Sequence, residues 1–177
     1  MEKDLGQTWS QAFGELYDEF MPRIYRYIGY RVGNRQDAED LTSVVFEKAA
    51  SHHEKYDGQK ASFSTWVFTI AHNTLIDYYR SHDRKIQSDS LELAEPLLSQ
   101  DSNPQEAIEN NETIRLLSGC LSSLKQQDLD LIQLKFSAEF NNKEISRIMG
   151  ISEVNVRKRL ERTLKRLKSS LEEAQDV

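Results

Sequence analysis

A single cysteine in 177 residues excludes an internal disulfide, and Cys120 is expected to be a buried structural thiol rather than a reactive one. Only three prolines and seven glycines interrupt the chain, no hairpin signal appears, and helical periodicity dominates. No apolar run approaches the roughly 20 residues of a membrane span. The opening Met1-Glu2-Lys3-Asp4 also lacks the basic and apolar parts of a signal peptide, so the expected location is cytoplasmic, with no membrane partner. His52, His53, His72 and His82 show no spacing that spells a metal site. There is no Gly-rich phosphate loop, no strand-turn-helix nucleophile motif and no HExxH. An enzyme therefore has no residues to stand on, and no metal or cofactor is expected. What is present, 38% apolar and 29% charged residues, is ordinary for a globular protein.

The informative feature is how charge is distributed. The chain carries a net −6, yet Asn141 to Leu171 holds nine Lys or Arg against three Glu, about +6. That segment reads as helix, turn, helix. Asn141 with Glu144 three residues on forms an Asn version of the capping box. Ile145, Ile148 and Met149 recur at helical spacing, and Gly150 supplies the left-handed residue that ends a helix without a Cβ clash. Ser152 then caps a longer helix with an apolar stripe of Val156, Leu160, Leu164, Leu167 and Leu171. Its opposite face bears Lys158, Glu161, Arg162 and Lys165, flanked by Asn155 and Arg157. Lys and Arg neutralise phosphates, while Asn and Arg carry the forked groups that read base edges in a major groove. Taken alone the basic run fits a solvated surface or a coiled-coil strand. The punctuated helix beside it favours DNA recognition.

Two helical blocks flank an acidic joint. The first, residues 8–85, breaks near Gly33-Asn34 and at Asp57-Gly58. Between Ile86 and Glu112 there are seven acids and no Lys or Arg, with Pro96, Pro104 and several serines, the composition of a tether. The expected architecture is all-α: two small helical domains, 8–85 and 105–172, joined by a flexible acidic linker over 86–104. The second should pack Ile108, Ile114, Leu117, Leu121, Leu124, Leu129, Ile132 and Phe136 around the helix-turn-helix.

In the first block, Asn34 should cap a helix whose first turns hold Asp37, Glu39 and Asp40, the favourable sign at a helix N-terminus. Dipole compensation alone accounts for those acids. The segment Phe63 to Arg80 has aromatics most of the way round its helix, so some should meet water or a partner beside the polar loop Tyr56 to Lys60. Exposed aromatics of this kind suit stacking on unpaired bases.

Taken together, these motifs resemble the bacterial RNA polymerase sigma factors of the sigma-70 family, in their extracytoplasmic-function (ECF) form with only conserved regions two and four. Asp37-Ala38-Glu39-Asp40-Leu41 with Val45-Phe46 looks like the polymerase-binding part of region two. Phe63 to Arg80, with Trp66 and Ile70-Ala71-x-Asn73, looks like the part that melts and reads the −10 element. Gly150-Ile151-Ser152 and Val156 to Leu160 look like region four, the −35 reader. The resemblance implies that Asp37, Glu39, Asp40, Leu41 and Phe46 contact core polymerase at the β′ clamp helices, with the β flap as a second contact. It puts Tyr56, Trp66, Phe68 and Asn73 at the −10 strand. It puts Ser152, Asn155, Arg157, Lys158, Glu161, Arg162 and Lys165 at the −35 duplex. Ser43-Val44 stand where the family commonly has Gln-Glu. An anti-sigma factor is a common partner in that family, although no residue here identifies one. Two other readings remain open at this level: a stand-alone helix-turn-helix regulator with an N-terminal dimerisation or effector module, and an adaptor whose N-terminal block only binds protein.

Overall fold

The computed structural model describes residues 2–86, 116–121 and 123–175, with side chains from 12 to 81 and from 116 to 173 except 122. The expected linker over 86–104, and Ile108 and Ile114, lie outside the described residues apart from the helical backbone of Ile86. The chain divides into two compact units, Met1–Leu97 and Leu98–Val177. Among the described residues every regular element is helical.

The first unit is built from α1 (Glu2–Val32), α2 (Arg35–Ser51), a short 3₁₀ turn at His53–Lys55, and α3 (Phe63–Ile86). Gly33, at φ 72°, reverses the chain after α1. Asn34 then caps α2, its side chain accepting from the Asp37 backbone N–H. Each helix contributes one face to a common core. That core takes Phe20, Ile24, Tyr27 and Ile28 from α1, Ala38, Val45, Phe46 and Ala49 from α2, and Phe63, Val67, Phe68, Ala71 and Leu75 from α3. At roughly 1.5–3 kcal/mol for each large side chain removed from water, this packing is the main term holding the three helices together.

The second unit contains a helical stretch over 116–121 (α4), α5 (Gln126–Ile132) running on into a π turn at Gln133–Ser137, α6 (Asn142–Met149) and α7 (Glu153–Gln175). Cys120 is buried with Leu124, Ile132 and Leu167, and Leu121, Leu129, Leu160 and Leu171 pack against them. Both halves of the capping box form: Asn141 accepts from the Glu144 N–H, and Glu144 accepts from the Asn141 N–H. Gly150 adopts the left-handed conformation at φ 66°. Ser146 Oγ donates to the Ile151 carbonyl at 2.6 Å, which ties the end of α6 to the turn, and Ser152 Oγ accepts from the Asn155 N–H at the start of α7.

Three expected core positions are corrected, the first being Leu117, which is 41% exposed. Phe136, within the π turn, lies 55% exposed, because that turn spans one more residue per hydrogen bond than an α-helix and so shifts the phase of the residues in it and after it. Phe140, past that turn, is buried instead. In α7 the inward position falls to Thr163, 2% exposed, while Leu164 points outward. The steps 156, 160, 163, 167 follow 3.6 residues per turn, whereas two successive steps of four drift off the face.

Candidate nucleic-acid interfaces

In the second unit, beside the apolar packing of its inner face, α7 is tied to α5 through one buried carboxylate. Asp128, on α5, accepts from Arg159 Nε at 2.7 Å and lies 3.8 Å from Arg166 Nη1, while Gln127 Oε1 accepts from Arg159 Nη2 at 2.7 Å. With the Val156, Leu160, Thr163 and Leu167 face turned inward, Ser152, Asn155, Arg157, Lys158, Glu161, Arg162 and Lys165 are all exposed. These seven, each expected from the sequence, share the outward side and N-terminal edge of one rigid helix. That is the geometry a helix needs to enter a major groove.

The first unit carries a concavity of about 280 Å³ lined by Lys48, His52, Lys55, Trp66, Ile70 and Asn73. Trp66 and Asn73 lie two turns apart on α3, and Trp66 is half-buried with Asn73 exposed. Lys48 comes from the last turn of α2, where its ammonium donates to Thr74 Oγ1 at 3.1 Å. His52 is oriented by its Nδ1, 2.8 Å from the Lys48 carbonyl, an acceptor that requires the proton on Nδ1. Tyr56 stands against Trp66, ring centroids 5.1 Å apart, with Phe63 edge-on to Tyr56. Two cations, an imidazole, an indole and a carboxamide thus converge on one open hollow. Lys48, His52 and Lys55 were not expected from the sequence, while Ile70 belongs to the motif quoted with Asn73. The first three recur at steps of four and three, but only the packing of α2 on α3 brings them to the same hollow as Trp66, Ile70 and Asn73.

The loop before α3 is ordered by Asp57. Its carboxylate pairs with Lys60 at 3.0 Å and accepts from the Gln59 N–H, and these contacts, the Lys60 hydrogen bond foremost, hold it below the usual carboxylate range. Ser62 Oγ accepts from the Thr65 N–H and starts α3.

Two expected contact residues prove to be interior. Phe68 is fully buried, its ring 5.4 Å from Tyr27 and 5.7 Å below the Arg23 guanidinium, so it shapes α3 from behind and presents no face to a base. Phe46 is 4% exposed and lies edge-on to Tyr17 at 4.7 Å, so within this unit it packs α2 on α1. Leu41 is half-buried, while Glu39 and Asp40 are exposed, Glu39 paired with Arg35 and Asp40 accepting from Gln36. Asp37 is engaged inside the unit by Asn34 and Tyr78. The aromatics of α3 are likewise less available than the sequence suggests, since Tyr78 bonds Asp37 and Tyr79 bonds the Arg31 carbonyl.

Comparison with known proteins agrees with this division. The model of Sigma-70 region 2 matches residues 16–85, and that of Sigma-70, region 4 matches residues 120–169. ECF RNA polymerase sigma factor SigM of Bacillus subtilis is 33% identical over 156 residues, covering 88% of this chain and 92% of that protein. ECF RNA polymerase sigma factor BldN of Streptomyces coelicolor is 32% identical over 161 residues; the match covers 89% of this chain and 61% of BldN's length. Among solved structures, the sigma factor RpoE in its complex with the anti-sigma factor NepR from Bartonella quintana superposes with a TM-score of 0.75 at 19% identity, covering 92% of this chain and 98% of that one, a likeness of fold. Two region models in chain order, one on each compact unit, and a relative matched over nearly all of both chains place this protein in the sigma-70 family, among the ECF RNA polymerase sigma factors.

Proposed function

We propose that this sigma factor docks on core RNA polymerase through its first unit, holds the −35 duplex with the outward face of α7, and captures an unpaired base of the −10 strand in the concavity beside Trp66. The observation that carries the reading is that hollow: an indole, an amide and two lysines around an open space of about 280 Å³. Stacking on an aromatic face contributes about 1–3 kcal/mol per base and needs the base out of the duplex, so it stabilises opened DNA and not closed DNA. Asn73 supplies a donor and an acceptor for the exposed base edge, and Lys48 and Lys55 offset the charge of neighbouring phosphates. None of these steps involves bond chemistry by this chain.

Glu39 and Asp40, exposed near the start of α2, suit a basic surface on the polymerase β′ clamp helices, with Leu41 as a partly buried apolar neighbour. The β flap and an anti-sigma factor are further partners of the same proposal; RpoE of Bartonella quintana was solved with its anti-sigma factor NepR. A net charge of −6 repels phosphate at long range despite the basic α7, so tight promoter binding depends on polymerase.

Run-off transcription with purified core polymerase over a random promoter library tests the proposal. Discrete promoters with a fixed −35 to −10 spacing support it. Unchanged transcription, with the protein alone retarding duplex DNA at a palindromic site, would replace it with a stand-alone regulator.

A further inference from the structure

We propose that Asp128 is a positioning residue for promoter discrimination: its carboxylate holds Arg159, and at its rim Arg166, away from DNA, so that α7 reads bases with its remaining side chains instead of gripping any duplex through phosphates. The inference rests on the assignment of α7 to the −35 duplex.

The geometry sets Arg159 apart from the other basic residues of this helix, while Arg166, 55% exposed, meets the same carboxylate only at its rim. Asp128 is 9% exposed and accepts from Arg159 Nε at 2.7 Å, with Gln127 taking a second guanidinium proton. The Arg159 side chain is 24% exposed, and Arg166, seven residues on and two turns along the same edge, lies 3.8 Å from the second carboxylate oxygen. At about 100° per residue, that edge adjoins the proposed reading face: Arg159 stands one turn after Asn155 and three residues before Arg162. A long cation at this position would swing readily onto a phosphate beside Asn155 if nothing held it.

Phosphate contacts add affinity for every sequence alike, while base contacts separate one site from another. Two further cations at the duplex would raise binding to scrambled and true sites together and would dilute the share of the interaction carried by Asn155, Arg157 and Glu161. The Gln127 and Asp128 pair also fixes the rotation of α7 about its own axis, because the guanidinium fork donates to its two partners in one plane.

The test uses holoenzyme, assembled from core polymerase and the full chain. The probes are a labelled duplex carrying a promoter recovered by the run-off selection and the same duplex with its −35 segment scrambled, each titrated against NaCl. Asp128→Asn keeps the shape and removes the charge. The expected result is a log K against log [salt] slope steeper by about 0.9 to 1.8, one to two added phosphate contacts, on both probes. The preference for the true −35 segment should fall by about tenfold. An unchanged slope and preference, or an equal loss of affinity on both probes with no change in slope, would overturn the proposal and reduce Asp128 to scaffold.

Arg159→Met gives an independent reading should Asp128→Asn fail to fold. The proposal expects its slope to equal that of the parent protein, and a slope shallower by about 0.9 would show that Arg159 already touches phosphate and would sink the idea. Combined Arg157→Ala and Lys158→Ala tests the underlying assignment separately. If that variant leaves the slope and the −35 preference intact, α7 does not bind the duplex; if it lowers both while Asp128→Asn does nothing, only the role of Asp128 falls.

Discussion

The Tyr78 hydroxyl donates to the Asp37 carboxylate, joining two residues 41 positions apart and pinning the middle of α3 to the first turn of α2. Asn34 Nδ2 donates to the same carboxylate at 2.7 Å, so the cap of α2 and the register of α3 share one acceptor. An acid that the sequence marks as a polymerase contact therefore also holds the first unit together.

Removing the phenol hydroxyl should be felt in stability before it is felt in transcription. Tyr78→Phe is expected to destabilise the first unit by about 1.5–3 kcal/mol, the range for a hydrogen bond to a charged group. Urea denaturation followed by the far-ultraviolet helix signal measures it, and a midpoint equal to that of the parent protein would show the bond to contribute nothing.

The same contact predicts an alkaline limit. Burial, then the hydrogen bond to the Asp37 carboxylate, push the Tyr78 phenol above its ordinary value, so the folded state keeps this proton longer than the unfolded chain does. The resulting stabilisation is fully present below the unfolded value of about 10 and is lost as pH rises beyond it. Denaturation midpoints from neutral to strongly alkaline pH should fall less steeply for Tyr78→Phe than for the parent protein. Parallel curves would contradict the assignment.

Phe68 and Trp66 lie two residues apart on α3, and their substitutions should have opposite signatures. Phe68→Ala empties a fully enclosed site and should cost about 3–5 kcal/mol of stability, with activity lost through unfolding. Trp66→Ala, at the edge of the concavity, should lower stability less and reduce open-complex formation by a factor corresponding to about 1–3 kcal/mol. Permanganate footprinting of melted thymines, set beside thermal unfolding of both variants, separates the two. A stable Phe68→Ala protein would mean that the ring is less enclosed than its burial indicates.

Gly150 offers a purely conformational test. A Cβ placed there meets no atom within 4 Å, so space is not the obstacle, but the φ of +66° is one that L side chains adopt at a cost of about 1–2 kcal/mol. Gly150→Ala should therefore destabilise the second unit by that amount and Gly150→Asn by less, since Asn tolerates the left-handed region. Equal stability of the three proteins would rule out strain in the turn.

Local rules made much of this protein legible from its residues. The Asn34 cap, the Asn141 and Glu144 capping box, the Gly150 stop and the Ser152 start each depend on side chains within three residues of the backbone group they satisfy, so spacing alone reveals them. The outward basic side of α7 follows equally from a 3.6-residue period applied to an apolar stripe. At Leu164 and Thr163 the stripe expected from the spacing and the buried face differ by one residue of phase.

Helix identity, the capped helix ends and the basic outer side of α7 follow from residues within about one turn of each other. Tertiary packing decided which aromatics of α3 are interior, turning Phe68 inward beneath Arg23 and leaving Trp66 at a rim. It brought Lys48, His52 and Lys55 to the same hollow as Asn73, and it matched Asp128 with Arg159 across 31 residues of chain. It also moved Phe136 out and Phe140 in through a π turn. These outcomes depend on which helix faces meet and at what rotation, a competition among long-range contacts that no local spacing records.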